Sequence, residues 1–172
     1  MGAEQSLEKV TTLPNIIRKY NPGLVGGSLE TTLMATAKTG AGFNAAVSGQ
    51  EANHMFEQAR TLITRIRENP KIDYANDWKL ITLFIGGNDL CDFCNDLELH
   101  SPQSYVDDIA AALDLFHSEL PRTFVNLVSV LNVPIVEELN IGLVCSTLHR
   151  RGNYYKIYFK YGATCTTLSN RL

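Results

Sequence analysis

Apolar residues recur along this chain in two rhythms. In "QEANHMFEQARTLITRIREN" the residues Met55, Ala59, Leu62, Ile63 and Ile66 stand three or four apart, the stripe of an amphipathic helix. After Ser101-Pro102, "QSYVDDIAAALDLFHSEL" repeats the pattern with Ile109, Leu113, Phe116 and Leu120, and Pro121 ends it. A third, shorter helix is predicted in "TTLPNIIRKYNPGL" (11–24), opened by a Thr cap with Pro14 near the first turn and stopped by Asn21-Pro22-Gly23. The second rhythm is the uninterrupted apolar run. "WKLITLFIGG" (78–87) and "TFVNLVSVLNV" (123–133) predict strands buried on both faces, and "GFNAAVSG" (42–49) predicts a shorter strand ending at Gly49. Beyond Pro134 come a short "IVEELN" segment and, near the end, "NYYKIYFKY", whose alternation would suit a strand covering a sheet edge.

Strands alternating with helices indicate an α/β domain with a parallel sheet. In such sheets ligand chemistry gathers at the carboxyl ends of the strands, where Gly49 and the Gly86–Asp89 turn both fall.

Length and composition narrow the class. A chain of 172 residues with 45% hydrophobic and 19% charged content reads as one globular domain. No apolar run approaches the ~20 residues that span a bilayer, and "MGAEQSLEKV" has no apolar signal region, so the expectation is a soluble, untargeted chain. Met1-Gly2-Ala3-Glu4-Gln5-Ser6 fits the loose acylation pattern, but Glu4 and the lack of a following basic cluster favour chance. Charge divides the sequence into residues 1–140 and a tail, 141–172. The tail carries 5 of the 15 basic residues and none of the 18 acidic ones, which suggests a different origin or environment. Five basic residues among tyrosines, on an otherwise acidic protein, make a poor nucleic-acid patch, and no nucleic-acid partner is expected.

The densest chemistry lies in "FIGGNDLCDFCND" (84–96). Cys91 and Cys94 have no second Cys or His pair to complete a zinc tetrahedron, and Asp89, Asp92 and Asp96 miss the spacing of a calcium loop. A Cys-x-x-C after a buried strand also suits a thioredoxin-like redox dithiol. The three aspartates would raise rather than lower its thiol pKa, leaving a local disulfide or an ordinary thiol pair that braces the loop. With only Cys145 and Cys165 elsewhere, cysteine usage leaves the compartment open. Asn88 offers a neutral, fixed side-chain N–H on a Gly-flanked turn at a strand end, suitable for holding an oxyanion, although such turns are often only turns.

Gly86-x-Asn88-Asp89 after "LITLFI", with "FNAAVSG" (43–49) about forty residues earlier, resembles two of the four sequence blocks of the GDSL or SGNH lipase family. "VTTLPNIIRKYNP", "QARTLI", "DWKLITLFIGGNDLCDFCND" and "ALDLFHSELPRTFVNLVSVLNV" extend the resemblance over roughly residues 10–139, to the phospholipase B type of repeat. The resemblance implies a flavodoxin-like three-layer α/β/α fold. It also implies serine hydrolysis of phospholipid or lysophospholipid acyl esters without metal or organic cofactor, on a membrane-associated, outward-facing protein. In that mechanism the oxyanion is held by the serine's own N–H, a glycine N–H and an Asn side chain. By resemblance these last two are Gly49 and Asn88.

The resemblance also marks what is not found. No Gly-Asp-Ser block occurs; Gly27-Ser28-Leu29 imitates one, but Ser28 follows no buried strand. The base of the family lies in a D-x-x-H motif, and the only such spacing is Asp114–His117, inside the predicted amphipathic helix, while His54, His100 and His149 lack the motif. The expectation is therefore a partial domain, with its first strand and C-terminal part missing and catalytically incomplete. The alternative is a non-enzymatic truncated or spliced product that at most binds lipid or a partner. Without nucleophile or base, a serine hydrolase loses on the order of a millionfold in kcat.

Overall fold

The computed structural model describes residues 7–28, 41–93 and 95–130. The N-terminal acylation pattern, "IVEELN", "NYYKIYFKY", the tail 141–172, His149, Cys145 and Cys165 lie outside them. The first helix, α1 (Leu13–Tyr20), begins where expected: the Thr12 hydroxyl accepts from Asn15 N at 3.3 Å, and Pro14 fills the first turn. Asn21 caps the other end, its N–H donating to Ile17 O at 2.8 Å.

A 3₁₀ turn (Ala52–His54) leads into α2 (Met55–Arg67), followed by β1 (Lys79–Phe84), the short α3 (Gly87–Asp92), α4 (Pro102–Glu119) and β2 (Thr123–Val128). The predicted α2 stripe is buried in full: Met55, Ala59, Leu62, Ile63 and Ile66 pack with Ala112, Phe116 and Leu120 and with Ile81 and Leu83 of β1. Each large apolar side chain removed from water contributes roughly 1.5–3 kcal/mol, so this cluster is the main stabilising feature. On α4 the innermost position belongs to Ala112, with Leu113 half-buried beside the core.

β1 and β2 pair in parallel, in register from Lys79↔Thr123 to Phe84↔Val128, with the crossover running through α4. The α/β class and the parallel sheet are as expected. Two expectations are corrected. First, β1 and β2 are not buried on both faces: Ile81 and Leu83 point into the core while Leu80, Phe84 and Phe124 are 45%, 51% and 63% exposed. The cause is that α2 and α4 pack on the same face of the sheet, and no layer covers the other face among the described residues. Second, residues 42–49 form turns, not a strand. Phe43 N donates to Gly26 O, Asn44 N to Ala41 O and Ala46 N to the Asn44 side chain, while Arg65 takes Asn44 O, so these backbone groups are engaged away from any ladder.

The amino end of β1 is closed by a polar cluster. Buried Lys79 donates to Tyr74 O and to Pro121 O, the latter at 3.0 Å, and lies over the Tyr74 ring at 5.1 Å. Arg67 stacks on the same ring at 5.0 Å and pairs with Glu119 at 3.0 Å. No helix of the described residues is long and apolar enough to cross a membrane.

Candidate functional site

At the carboxyl end of β1 the chain must turn sharply, and Gly86 makes the turn with φ +115°. A Cβ there would run into Val130 and come within 2.9 Å of the Tyr105 ring, so both backbone and space require glycine. Tyr105 seals this turn by donating its hydroxyl to Ile85 O at 3.1 Å. Gly86 caps α3, placing Asn88 in its first turn and Asp89 below it, buried.

The second glycine turn comes to the same place. Gln50 N donates to Val47 O at 3.3 Å, with Gly49 at φ +81° in the third position that a type II turn reserves for glycine. Nothing lies within 4 Å of where a Gly49 Cβ would stand, so the residue faces open space. Two side chains of α3 fasten this turn. The Asn88 amide donates to Gln50 O at 2.8 Å, and the Asp89 carboxylate accepts the buried Ala52 N–H on both oxygens, at 3.0 and 3.2 Å. Asn88 uses one of its two N–H groups in this bond, which leaves the other to donate elsewhere. Gly49 and Asn88, named separately in the sequence, are thus neighbours.

Beside them lies a cluster that sequence reading missed. The loop after α3 is bent by Asp96, whose side chain accepts from Glu98 N and Leu99 N and whose carbonyl accepts from His100 N. This bend turns His100 inward, where it is only 8% exposed. Its Nε2 lies 3.9 Å from Glu51 Oε1 and its Nδ1 4.0 Å from Asp89 Oδ1, and Nδ1 has no hydrogen-bond partner among the described residues. Burial pushes the Glu51 carboxyl above its ordinary value, helped by Asp89 and Asp92 and opposed by His100. Asp108 on α4 is raised by burial and then by Asp89, and the Tyr105 hydroxyl is raised for the same two reasons. The Gly-x-Asn-Asp block contained Asp89 in plain view, but His100 carries no local signature that distinguishes it from a surface histidine.

The weaker candidates fall elsewhere. Ser28 donates its hydroxyl to Ala41 O at 2.8 Å, so its proton goes to a carbonyl and not to a base. His117 is exposed on the last turn of α4 and makes no ion pair with Asp114 among the described residues. Cys91 belongs to α3 by its backbone, while Cys94 lies outside the described residues. No group of three or more His, Cys, Asp or Glu side chains suited to a metal ion occurs among the described residues.

Comparison with known proteins places this geometry in context. The GDSL-like lipase/acylhydrolase family matches residues 3–169. Over 139 residues, 81% of this chain, the sequence is 48% identical to the membrane-associated phospholipase B1 of Homo sapiens. It is 45% identical over 139 residues to the protein of the same name from Rattus norvegicus and 42% identical to that from Mus musculus. The chain spans about 9% of the length of these relatives. No solved structure matches.

Proposed function

Since the chain belongs to the GDSL-like lipase/acylhydrolase family, we propose that it carries the oxyanion-holding part of a phospholipase B-type ester hydrolase site. Its substrate class is the acyl esters of phospholipids and lysophospholipids, and its place is beside a membrane, as the names of its relatives suggest. The observation that carries this reading is the bond from Asn88 to Gln50 O, which seats the amide next to the Gly49 turn.

In this reading the Gly49 N–H and the second N–H of Asn88 converge on the carbonyl oxygen of the ester as it gains charge on attack by a serine. Both donors are neutral and are held by the fold before reaction, so they need no rearrangement when the charge develops. Removing one such donor in a complete enzyme costs about 10²–10³ in kcat. Among the described residues neither sequence candidate suits the nucleophile or the base: Ser28 is bonded to a carbonyl and His117 stands on a solvent-facing helix turn. We infer that the described residues supply the donor half of the site and neither its nucleophile nor its base.

Two measurements test the assignment. Hydrolysis of p-nitrophenyl butyrate and of lysophosphatidylcholine by the chain is expected to match the buffer blank, and turnover abolished by Ser28→Ala would overturn the half-site assignment. Titration of ¹⁵N-labelled protein with dodecanoate below its micelle concentration, at fixed pH, is expected to move the Gly49 amide and the Asn88 side-chain amide together. If those signals stay still, the donor role is wrong.

A further inference from the structure

Three consecutive residues of the Gly49 loop are each tied to a different residue beyond β1. Gln50 O accepts from Asn88, the Glu51 carboxylate faces His100, and Ala52 N–H is held by Asp89. The first and third ties are complete hydrogen bonds. The second is open: His100 lies between two carboxylates at 3.9 and 4.0 Å, ion-pair distances that fall short of hydrogen bonds. We propose that His100 is a positioning residue whose doubly protonated ring clasps Glu51 and Asp89 together, holding the Gly49 loop against α3 and thereby fixing the amide of Asn88. The consequence for catalysis rests on the reading of Asn88 as an oxyanion donor.

The chemistry follows from the ring's two faces. A neutral imidazole has one N–H and one lone pair, whereas the imidazolium donates from both nitrogens. Here both nitrogens face a carboxylate. In the neutral form one carboxylate confronts a lone pair in a site from which water is largely excluded, and the two acids repel each other without an intervening positive charge. In the charged form each acid gains a donor, and closing either gap by about 1 Å makes a charge-assisted hydrogen bond. Every neighbouring element adds to the negative side or stands further off. Asp92 on α3 faces Glu51; Asp108 and Tyr105 on α4 face Asp89; and His54, on the 3₁₀ turn, stands near Asp108. The His54 ring is already engaged, its Nδ1 accepting from Glu51 N at 3.3 Å. His100 is thus the group aimed between the two acids.

The clasp operates within a pH window. It exists only where both ring nitrogens carry a proton to donate. On the acid side it loses one arm as Glu51, whose carboxyl is raised from the ordinary 4.5, takes up a proton. Between these limits the loop is held at three points instead of two.

The test needs no substrate and, in its first form, no variant. ¹⁵N-labelled protein is titrated from roughly pH 5 to 9, the range in which imidazoles change charge. The His100 ring nitrogens are followed by long-range ¹H–¹⁵N correlation and the Asn88 side-chain amide in the same samples. The expected result is a chemical-shift step of the Asn88 amide, and of Ala52 N–H, with the midpoint of the His100 ring. His100→Gln, with a well-dispersed spectrum, is expected to remove that step, and Glu51→Gln to diminish it while the ring still titrates. An Asn88 amide that stays flat through the His100 titration, or a step that persists in His100→Gln, would overturn the proposal. The donor reading fails separately. A His100-linked step with no response to dodecanoate keeps the clasp and sinks the donor role; a dodecanoate response with no His100-linked step does the reverse.

Discussion

The two ends of β1 handle buried charge in opposite ways. At the amino end Lys79 is buried, but its ammonium meets two carbonyls and an aromatic face, and Arg67 and Glu119 complete the cluster as a close pair. At the carboxyl end the matching is incomplete: Asp89 accepts the Ala52 N–H, yet the buried imidazole between it and Glu51 has an Nδ1 with no partner among the described residues, and Asp92 and Asp108 stand nearby. A fold that seeks stability satisfies its buried polar groups. A buried ring nitrogen left without a partner, beside two glycine turns of positive φ, is the exception to that rule in the described residues and marks this end as the candidate site. The carboxyl end of a parallel strand is also where α/β proteins bind ligands.

Substitutions can break this contrast. The largest effect is expected from Gly86→Val, which combines left-handed backbone strain with a collision at Val130 and Tyr105; urea unfolding should show a loss of about 3 kcal/mol or more. Lys79→Ala should cost about 2–3 kcal/mol, since its charged hydrogen bonds are lost, yet leave the Asn88 side-chain amide signals where they are. A shift of those signals would mean that the two ends are coupled and the contrast false. Asp89→Ala orphans the buried Ala52 N–H and should cost about 1–3 kcal/mol, this time displacing the Gly49 and Asn88 signals.

The smallest effect, and the sharpest comparison, is in pH dependence. Glu51 and Asp108 hold values raised above 4.5 and 3.8, so the stability they contribute is present below those values and is lost as pH rises through the higher folded ones. Lys79 is shifted the other way, below 10.5, chiefly by burial. Its contribution is present above that value and is lost as pH falls through the folded one. Calorimetry across pH should therefore show Glu51→Gln and Asp108→Asn flattening the acid limb alone, and Lys79→Met the alkaline limb alone.

Much of this was legible in the residues. Thr12 with Pro14, and Ser101 with Pro102, announced two helix starts. The spacing of Met55 to Ile66 gave the buried face of α2, and the Gly86-x-Asn88-Asp89 block gave the turn at the end of β1. What failed was whatever depends on neighbours. An apolar run such as Leu80–Phe84 looks the same whether one face or two are covered, because the covering layer is set by where distant helices pack. Residues 42–49 carry apolar letters, but their backbone bonds were decided by Gly26, Ala41 and Arg65. His100 was unreadable for the same reason: its partners Glu51 and Asp89 come from the cap of the 3₁₀ turn and from α3, and nothing around Leu99 and Ser101 hints at them.

The grip of Asp89 on Ala52 also sets a clock. Ala52 is 1% exposed and its amide is shared between two carboxylate oxygens, so solvent deuterium can reach it only when the loop parts from α3. Its exchange rate, measured against the amides of α2 that follow it, separates local parting of the two loops from global unfolding. The readiness of the site to open thereby becomes a quantity measurable in the resting protein.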